Sequence, residues 1–243
     1  MDAIAPAPTD RFLEIGPGPG VLTCRLAARA SRVIAVEIDR DLAEALAPTL
    51  PPNVEIVSGD ILDVDLSPVL RAGALRVAGN LPYNISSPIL FKLLQMARES
   101  SNLKDATVML QREVADRLVA PPGTRDYGVL TIFTSLQATV ERVLTLPPGA
   151  FRPAPKVHSA VVRLTFRPSA LPEGAERHFE RMVRIVFMQR RKTLLNALKP
   201  YAESIRRDAA SALSAASIDS GRRPETLELP ELFRLAAVFG QEG

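Results

Sequence analysis

Asn80-Leu81-Pro82-Tyr83 puts a carboxamide, a rigid backbone and an aromatic ring in four consecutive positions. Pro82 has no N–H and restricts Leu81 to extended geometry, so the carbonyls of this stretch are held facing one way. The amide oxygen of Asn80 beside a main-chain carbonyl makes two acceptors, which match the two hydrogens of an exocyclic amine. Tyr83 can stack on a base. A β-turn with an incidental aromatic is the competing reading of the same residues. Phe151-Arg152-Pro153-Ala154-Pro155-Lys156 is a stiff, proline-spaced stretch that can present Phe151 at a pocket rim. Phe151 and Tyr83 could then clasp a flipped-out purine from its two faces, unless Phe151 is a core aromatic.

A second signal is Glu14-Ile15-Gly16-Pro17-Gly18-Pro19-Gly20. Glycines let the backbone turn sharply and approach a ligand with no Cβ in the way. Glu37 follows Gly16 by 21 residues, a spacing that suits a carboxylate bonding a ribose diol. A nicotinamide site would read G-x-G-x-x-G, with the diphosphate on a helix N-terminus. Here the glycines alternate, and Pro17 and Pro19 withdraw two N–H groups that phosphates would need. Glu14 would repel a diphosphate and welcome a cation. S-adenosylmethionine has an ammonium, a sulfonium and no phosphate, so the loop favours it. Asp60, in Gly59-Asp60-Ile61, can accept from an adenine amino group or cap its own turn, and spacing does not choose.

These groups need a scaffold that brings strand ends together. Strand patterns fall at Arg11–Ile15, Ser31–Ile38, Val54–Val57, Leu75–Ala78 and Ala106–Leu110. Helical patterns fall at Val21–Ala30, Arg40–Ala47 and from Ser87 through Met96. The alternation predicts an α/β doubly wound domain, with the glycine loop, Glu37, Asp60 and Asn80 at the carboxyl ends of strands. Val140–Leu146 and Val157–Phe166 have little helical sequence between them and are expected to pair antiparallel. Arg167–Gly174 reads as a linker, beyond which the pattern is helical. The expected division is residues 1–170 and 171–243.

Composition narrows the chemistry. At 243 residues, 47% hydrophobic and 23% charged, the chain is neither disordered nor collagenous. One cysteine, Cys24, and two histidines, His158 and His178, argue against a disulfide scaffold, a Cys/His zinc centre or a His-centred triad. No metal is expected. Neither a signal peptide nor a membrane-spanning run of about eighteen apolar residues is present, so the expected location is the cytoplasm and the expected state a monomer. The net charge of +3 is unevenly placed: residues 177–207 carry nine basic residues against Glu180 and Glu203. On one helix, Arg177, Arg181, Arg184, Arg191, Lys192 and Lys199 would share an arc of about 100°, with Phe179, Met182, Val183 and Val186 opposite. The apolar stripe re-phases after Phe187, which predicts a break near Gln189. A local basic segment suggests a polyanion partner, with a solvated helix face as the common alternative.

Taken together, FLEIGPGPGVLT, VIAVEIDRDLA, GDIL, VAGNLPYNISSPIL, MLQREVADRLVAPPGTRDYGVL, PPGAFRPAPKVHSAVVRL and FMQRRKTLLNAL carry a resemblance. From Phe12 to about Leu198, the sequence resembles the ribosomal RNA adenine N6-dimethyltransferases, above all the small-subunit, kasugamycin-sensitivity branch. The resemblance implies a Rossmann-like methyltransferase domain with a seven-stranded, mostly parallel sheet, plus a small C-terminal all-helical domain. It implies contacts to S-adenosyl-L-methionine by Glu14, Gly16, Gly18, Glu37, Ile38, Asp60, Ile61 and Asn80. The target adenosine would lie against Asn80, Leu81, Pro82, Tyr83 and Phe151. Arg152, Lys156, Arg181, Arg184, Arg190, Arg191 and Lys192 would bind RNA, the partner being the small ribosomal subunit. The implied reaction is dimethylation of two adjacent adenosines near the 3′ end of small-subunit rRNA.

Family members carry about thirty further residues before the first strand, whereas ten precede Arg11 here, which implies weakened cofactor binding or activity. Two other readings compete: a large-subunit methyltransferase of the macrolide-resistance type, and a ribosome-assembly factor with lost catalysis. A nicotinamide-dependent dehydrogenase is disfavoured by the loop prolines.

Overall fold

The structure, a computed structural model, describes residues 1–152, 154–171 and 176–240, without the side chains of 176 and 177. Pro153 and the Arg177 side chain, both singled out above, lie outside the described residues. The chain divides into two compact units: Met1–Asp116 with Gln137–Pro168, and Arg117–Leu136 with Ser169–Gly243.

The first unit is built on β1 (Arg11–Ile15), β2 (Arg32–Glu37), β3 (Val54–Ser58), β4 (Leu75–Asn80), β5 (Leu103–Gln111), β6 (Ala138–Leu146) and β7 (Ser159–Phe166). They form one seven-stranded sheet in the order β3-β2-β1-β4-β5-β7-β6. β1 to β5 pair in parallel, and β7 runs antiparallel to both β5 and β6. The sequence of β2, Arg-Val-Ile-Ala-Val-Glu, shows why: five consecutive residues are buried, as in a strand covered on both faces. The order reverses between β1 and β4, and such a switch point opens a crevice at the strands' carboxyl ends. Gly79 permits the close approach there. A Cβ on it would lie 2.6 Å from the carbonyl oxygen of Ile15, its register partner on β1.

The accompanying helices are α1 (Val21–Ala27), α2 (Arg40–Leu46), α3 (Ser67–Arg71), α4 (Ser86–Glu99) and α5 (Arg112–Leu118, to Asp116). Asp39 caps α2 by accepting from the Leu42 N–H at 3.1 Å. The short α3 and α5 carry no apolar repeat long enough to be read from sequence. Ahead of β1, the chain is held by Arg76, which bonds Asp10, Asp105 and the carbonyls of Ile4 and Ala5 while lying 5.1 Å over the Phe12 ring.

The second unit contains α6 (Val129–Gln137, to Leu136), α7 (Glu176–Met188), α8 (Leu194–Ser204), α9 (Ala209–Ala215) and α10 (Leu229–Gly240). Phe179, Met182, Val183 and Val186 form the buried face of α7. The helix stops at Met188, with the Gln189 N–H turned back to the Val186 carbonyl, and α8 starts a fresh apolar stripe. The division expected at residue 171 counted Arg117–Leu136 with the sheet. Here that segment packs with the later helices, and α6 is buried along most of its length, its polar Thr131 and Thr134 included. Its Phe133 lies 6.5 Å from Phe179, which lies 5.4 Å from Phe233, and the Tyr127 hydroxyl donates to the Leu227 carbonyl at 2.9 Å.

Candidate active site

At the β1/β4 crevice, the glycine loop closes on itself. Gly16, Gly18 and Gly20 all adopt positive φ, the left-handed region that glycine enters without strain. The Gly20 N–H donates to the Pro17 carbonyl at 3.0 Å. A Cβ on Gly20 would in addition meet the Leu46 side chain at 2.7 Å, so Leu46 would have to shift to admit one.

Glu14, one residue before the end of β1, is 1% exposed. Burial pushes its carboxyl up to about 7, with the nearby Thr23 hydroxyl pulling weakly the other way. Neither Glu14 Oε2 nor Thr23 Oγ1 completes a hydrogen bond. A buried acceptor without a donor is costly, so Oε2 is suited to receive an N–H from a ligand. Glu14 lines a cavity of about 300 Å³ with Gly16, Gly18, Leu22 and Asn80.

Glu37 ends β2 with its carboxylate anchored from both sides. Oε1 accepts from the Asp39 N–H at 3.1 Å and Oε2 from the Gly18 N–H at 3.2 Å. Each oxygen keeps a lone pair for a diol. Ile38 beside it is 65% exposed, an apolar surface of the kind that a base covers. Asp60 does cap its own turn: Oδ1 accepts from the Leu62 N–H at 2.8 Å, and Oδ2 has no hydrogen-bond partner among the described residues. Turn and ligand roles are therefore compatible on two oxygens. Ile61 is buried behind it. This set fits a cationic nucleoside: an unpaired carboxylate oxygen, a diol acceptor, an apolar shelf and a second acceptor.

A second cavity, about 360 Å³, is lined by Asn80, Leu81, Pro82, Tyr83, Phe151, Arg152 and Pro155. Asn80 lines both cavities, so it stands where their contents would meet. Its position is fixed by the end of the β4–β5 ladder, where Asn80 is the partner of Met109 and the Leu81 N–H donates to the Met109 carbonyl at 2.9 Å. The Leu81 side chain is buried, which leaves this residue its main chain for chemistry. Phe151 is half-buried on the cavity wall, so the core-aromatic reading does not hold. Sequence reasoning passed over Ser159. It is fully buried at the start of β7, and its Oγ lies 2.6 Å from the Tyr83 hydroxyl, holding the ring that faces the cavity. A serine opening a strand close after the proline-rich stretch was the available signal.

Of the basic residues, Arg152 lines the second cavity and Lys156 is exposed on the same loop. In the other unit, Arg181, Arg191 and Lys192 are exposed. Arg184 is exposed but lies 4.9 Å over the Phe133 ring. Arg190 is engaged within its own unit, 3.5 Å from Glu225 and bonded to the Thr124 carbonyl. Among the described residues there is no group of three metal-ligating side chains and no helix long and apolar enough to cross a membrane.

Comparison with known proteins gives a consistent picture. The family model "Ribosomal RNA adenine dimethylase" matches residues 1–234. A ribosomal RNA small subunit methyltransferase A of Geobacter metallireducens is 45% identical over 98% of this chain and 88% of its own length. A dimethyladenosine transferase from Plasmodium falciparum superposes with a TM-score of 0.77 at 27% identity, covering 96% of this chain and 91% of that one. The 23S rRNA methyltransferase ErmE gives a TM-score of 0.68 at 30% identity over 99% of this chain and 95% of its own.

Proposed function

The chain belongs to the ribosomal RNA adenine dimethylase family, and we propose that it dimethylates adenosine N6 in small-subunit rRNA at the expense of S-adenosylmethionine. It is an rRNA adenine dimethyltransferase. The observation that carries the site assignment is the placement of Asn80 on both cavities.

Glu14, in the first cavity, suits the ammonium of the cofactor, and Glu37 at the end of β2, with Ile38 and Asp60 beyond the ends of β2 and β3, suits its ribose and adenine. When bound, the cofactor supplies an electrophilic methyl carbon on a sulfonium. The chain's own contribution is mostly position. Tyr83 and Phe151 take the target base between them. The lone pair of adenine N6 is delocalised into the ring, so the free amine is a poor nucleophile. The Asn80 amide oxygen and the Leu81 carbonyl would accept the two amino hydrogens, which favours a pyramidal nitrogen with a localised lone pair. No strong base is needed, in keeping with the absence of histidine from this cavity.

Similarity favours the small subunit: the relative named for it is 45% identical, against 30% for the large-subunit enzyme. The test is incubation with radiolabelled S-adenosylmethionine and unmethylated small or large subunits, followed by nuclease mapping. Labelled dimethyladenosine in small-subunit rRNA is expected. Label confined to large-subunit rRNA, or none, would overturn the assignment. Asn80→Ala should lower transfer at least about 100-fold with unchanged circular dichroism, the scale of losing an aligned polar group in a transition state.

A further inference from the structure

A third cavity of about 420 Å³ lies in the first unit and has no role in the reaction described above. Its walls are Gln111 at the end of β5, Arg112 at the start of α5, and Lys156, Val157 and His158 ahead of β7. Two carboxylates, Glu113 and Asp116, also face it. Asp116 is neutralised by an ion pair with Arg142, so Arg112 and Lys156 outnumber Glu113 at the rim.

Three features tie this cavity to the one that would take the target base. Both open on the same loop: Pro155 lines one and Lys156, the next residue, lines the other. Adjacent residues lie about 3.8 Å apart, so the two mouths are separated by no more than the thickness of that loop. Both lie along the same sheet edge. Asn80 ends β4 and Gln111 ends β5, neighbouring strands that run about 4.8 Å apart. They also share a rung of the sheet, because Gln111 is the register partner of Ser159, whose Oγ holds the Tyr83 hydroxyl. The Arg112 N–H donates to the His158 carbonyl at 3.0 Å and fixes the backbone of the outer wall. Along the edge the order is glycine-loop cavity, target cavity, third cavity.

We propose that the third cavity seats the nucleotide next to the target adenosine in the same RNA strand. The chemistry fits a base carrying a phosphate. Val157, 41% exposed, and the exposed His158 ring offer a stacking surface. The Gln111 carboxamide can both donate to and accept from a base edge. Lys156 and Arg112 supply charge for the linking phosphate. When one base is drawn into the target cavity, its neighbour is pulled over the proline-rich loop and caught on the far side. The subsite thereby helps to select which adenosine enters, and this selection rests on the RNA-methylating function proposed above.

The test is a binding cycle with the full chain and a short fluorescent single-stranded RNA holding one target adenosine, its neighbour on either side intact or abasic. Loss of the base on one side should weaken wild-type binding about tenfold, the scale of one stacked base. The same abasic change should cost a folded Gln111→Ala/His158→Ala variant less than about twofold, because the partner groups are already gone. Equal losses in both proteins, or no loss in the wild type, would overturn the subsite. Methyl transfer to small subunits is scored separately. Transfer without neighbour dependence sinks the subsite alone, whereas neighbour dependence without transfer sinks the function and leaves a nucleotide site standing.

Discussion

Glu14 makes the site responsive to pH in two opposite ways. Its carboxyl stands at about 7 in the folded chain against an ordinary 4.5, so the folded state holds a proton that the unfolded state has released. Its contribution to stability is therefore fully present below pH 4.5 and is lost as pH rises through 7, by about 3 kcal/mol in all for a shift of this size. Thermal melts of the ligand-free chain should show this decline between pH 5 and 8, and Glu14→Gln should flatten it. Binding of a cationic cofactor has the reverse dependence, because it needs the carboxylate. Below pH 7 affinity should fall towards tenfold per pH unit by calorimetry in the wild type and stay level in Glu14→Gln. Ser159 acts at the same scale through Tyr83. Ser159→Ala removes one hydrogen bond of about 1 kcal/mol, so kcat for methyl transfer should drop about five- to tenfold. A change in KM alone, with kcat intact, would mean that the bond does not position the ring during reaction.

At the scale of elements, the β1/β4 seam supports both neighbouring cavities. Gly79→Ala would drive a methyl group against the Ile15 backbone, which cannot rotate away as a side chain could. A loss of about 1–3 kcal/mol in urea unfolding is expected, together with weaker cofactor binding. The strands and the larger helices of the first unit were legible because each carries an apolar run or stripe bounded by Gly, Pro or Asp. α3 was not, since its five residues cannot display a period. α6 was missed for the opposite reason. It is buried on nearly every side, with Thr131, Thr134 and Gln137 among the buried residues, so polar and apolar positions do not divide it into two faces.

At the scale of the whole molecule, charge is concentrated in the second unit, but the basic residues there are not equivalent. Arg181, Arg191 and Lys192 are exposed, whereas Arg190 is engaged by Glu225 and the Thr124 carbonyl. Each phosphate contact contributes about 0.7–0.9 to the slope of log K against log salt. If the exposed residues meet RNA, replacing all three by alanine should lower the slope by about 2 in filter-binding titrations. Arg190→Ala should leave the slope unchanged and lower the melting temperature instead. An unchanged slope in the triple variant would remove these three residues from the RNA interface.

By itself, the sequence determined the sheet's carboxyl edge as the working edge and placed the glycine loop, Glu37, Asp60 and Asn80 along it. Strand ends and turn chemistry are local, and local signals survive in one dimension. Only the tertiary structure decided that Asn80 lines two cavities, that Ser159 reaches Tyr83 across 76 positions of chain, and that Gln111 shares a rung with it. It likewise decided that α6 joins helices some forty residues and more along the chain. Those facts depend on the register of β5 against β7 and on which apolar faces find each other. Both are settled by packing between distant segments, for which a single sequence carries no period.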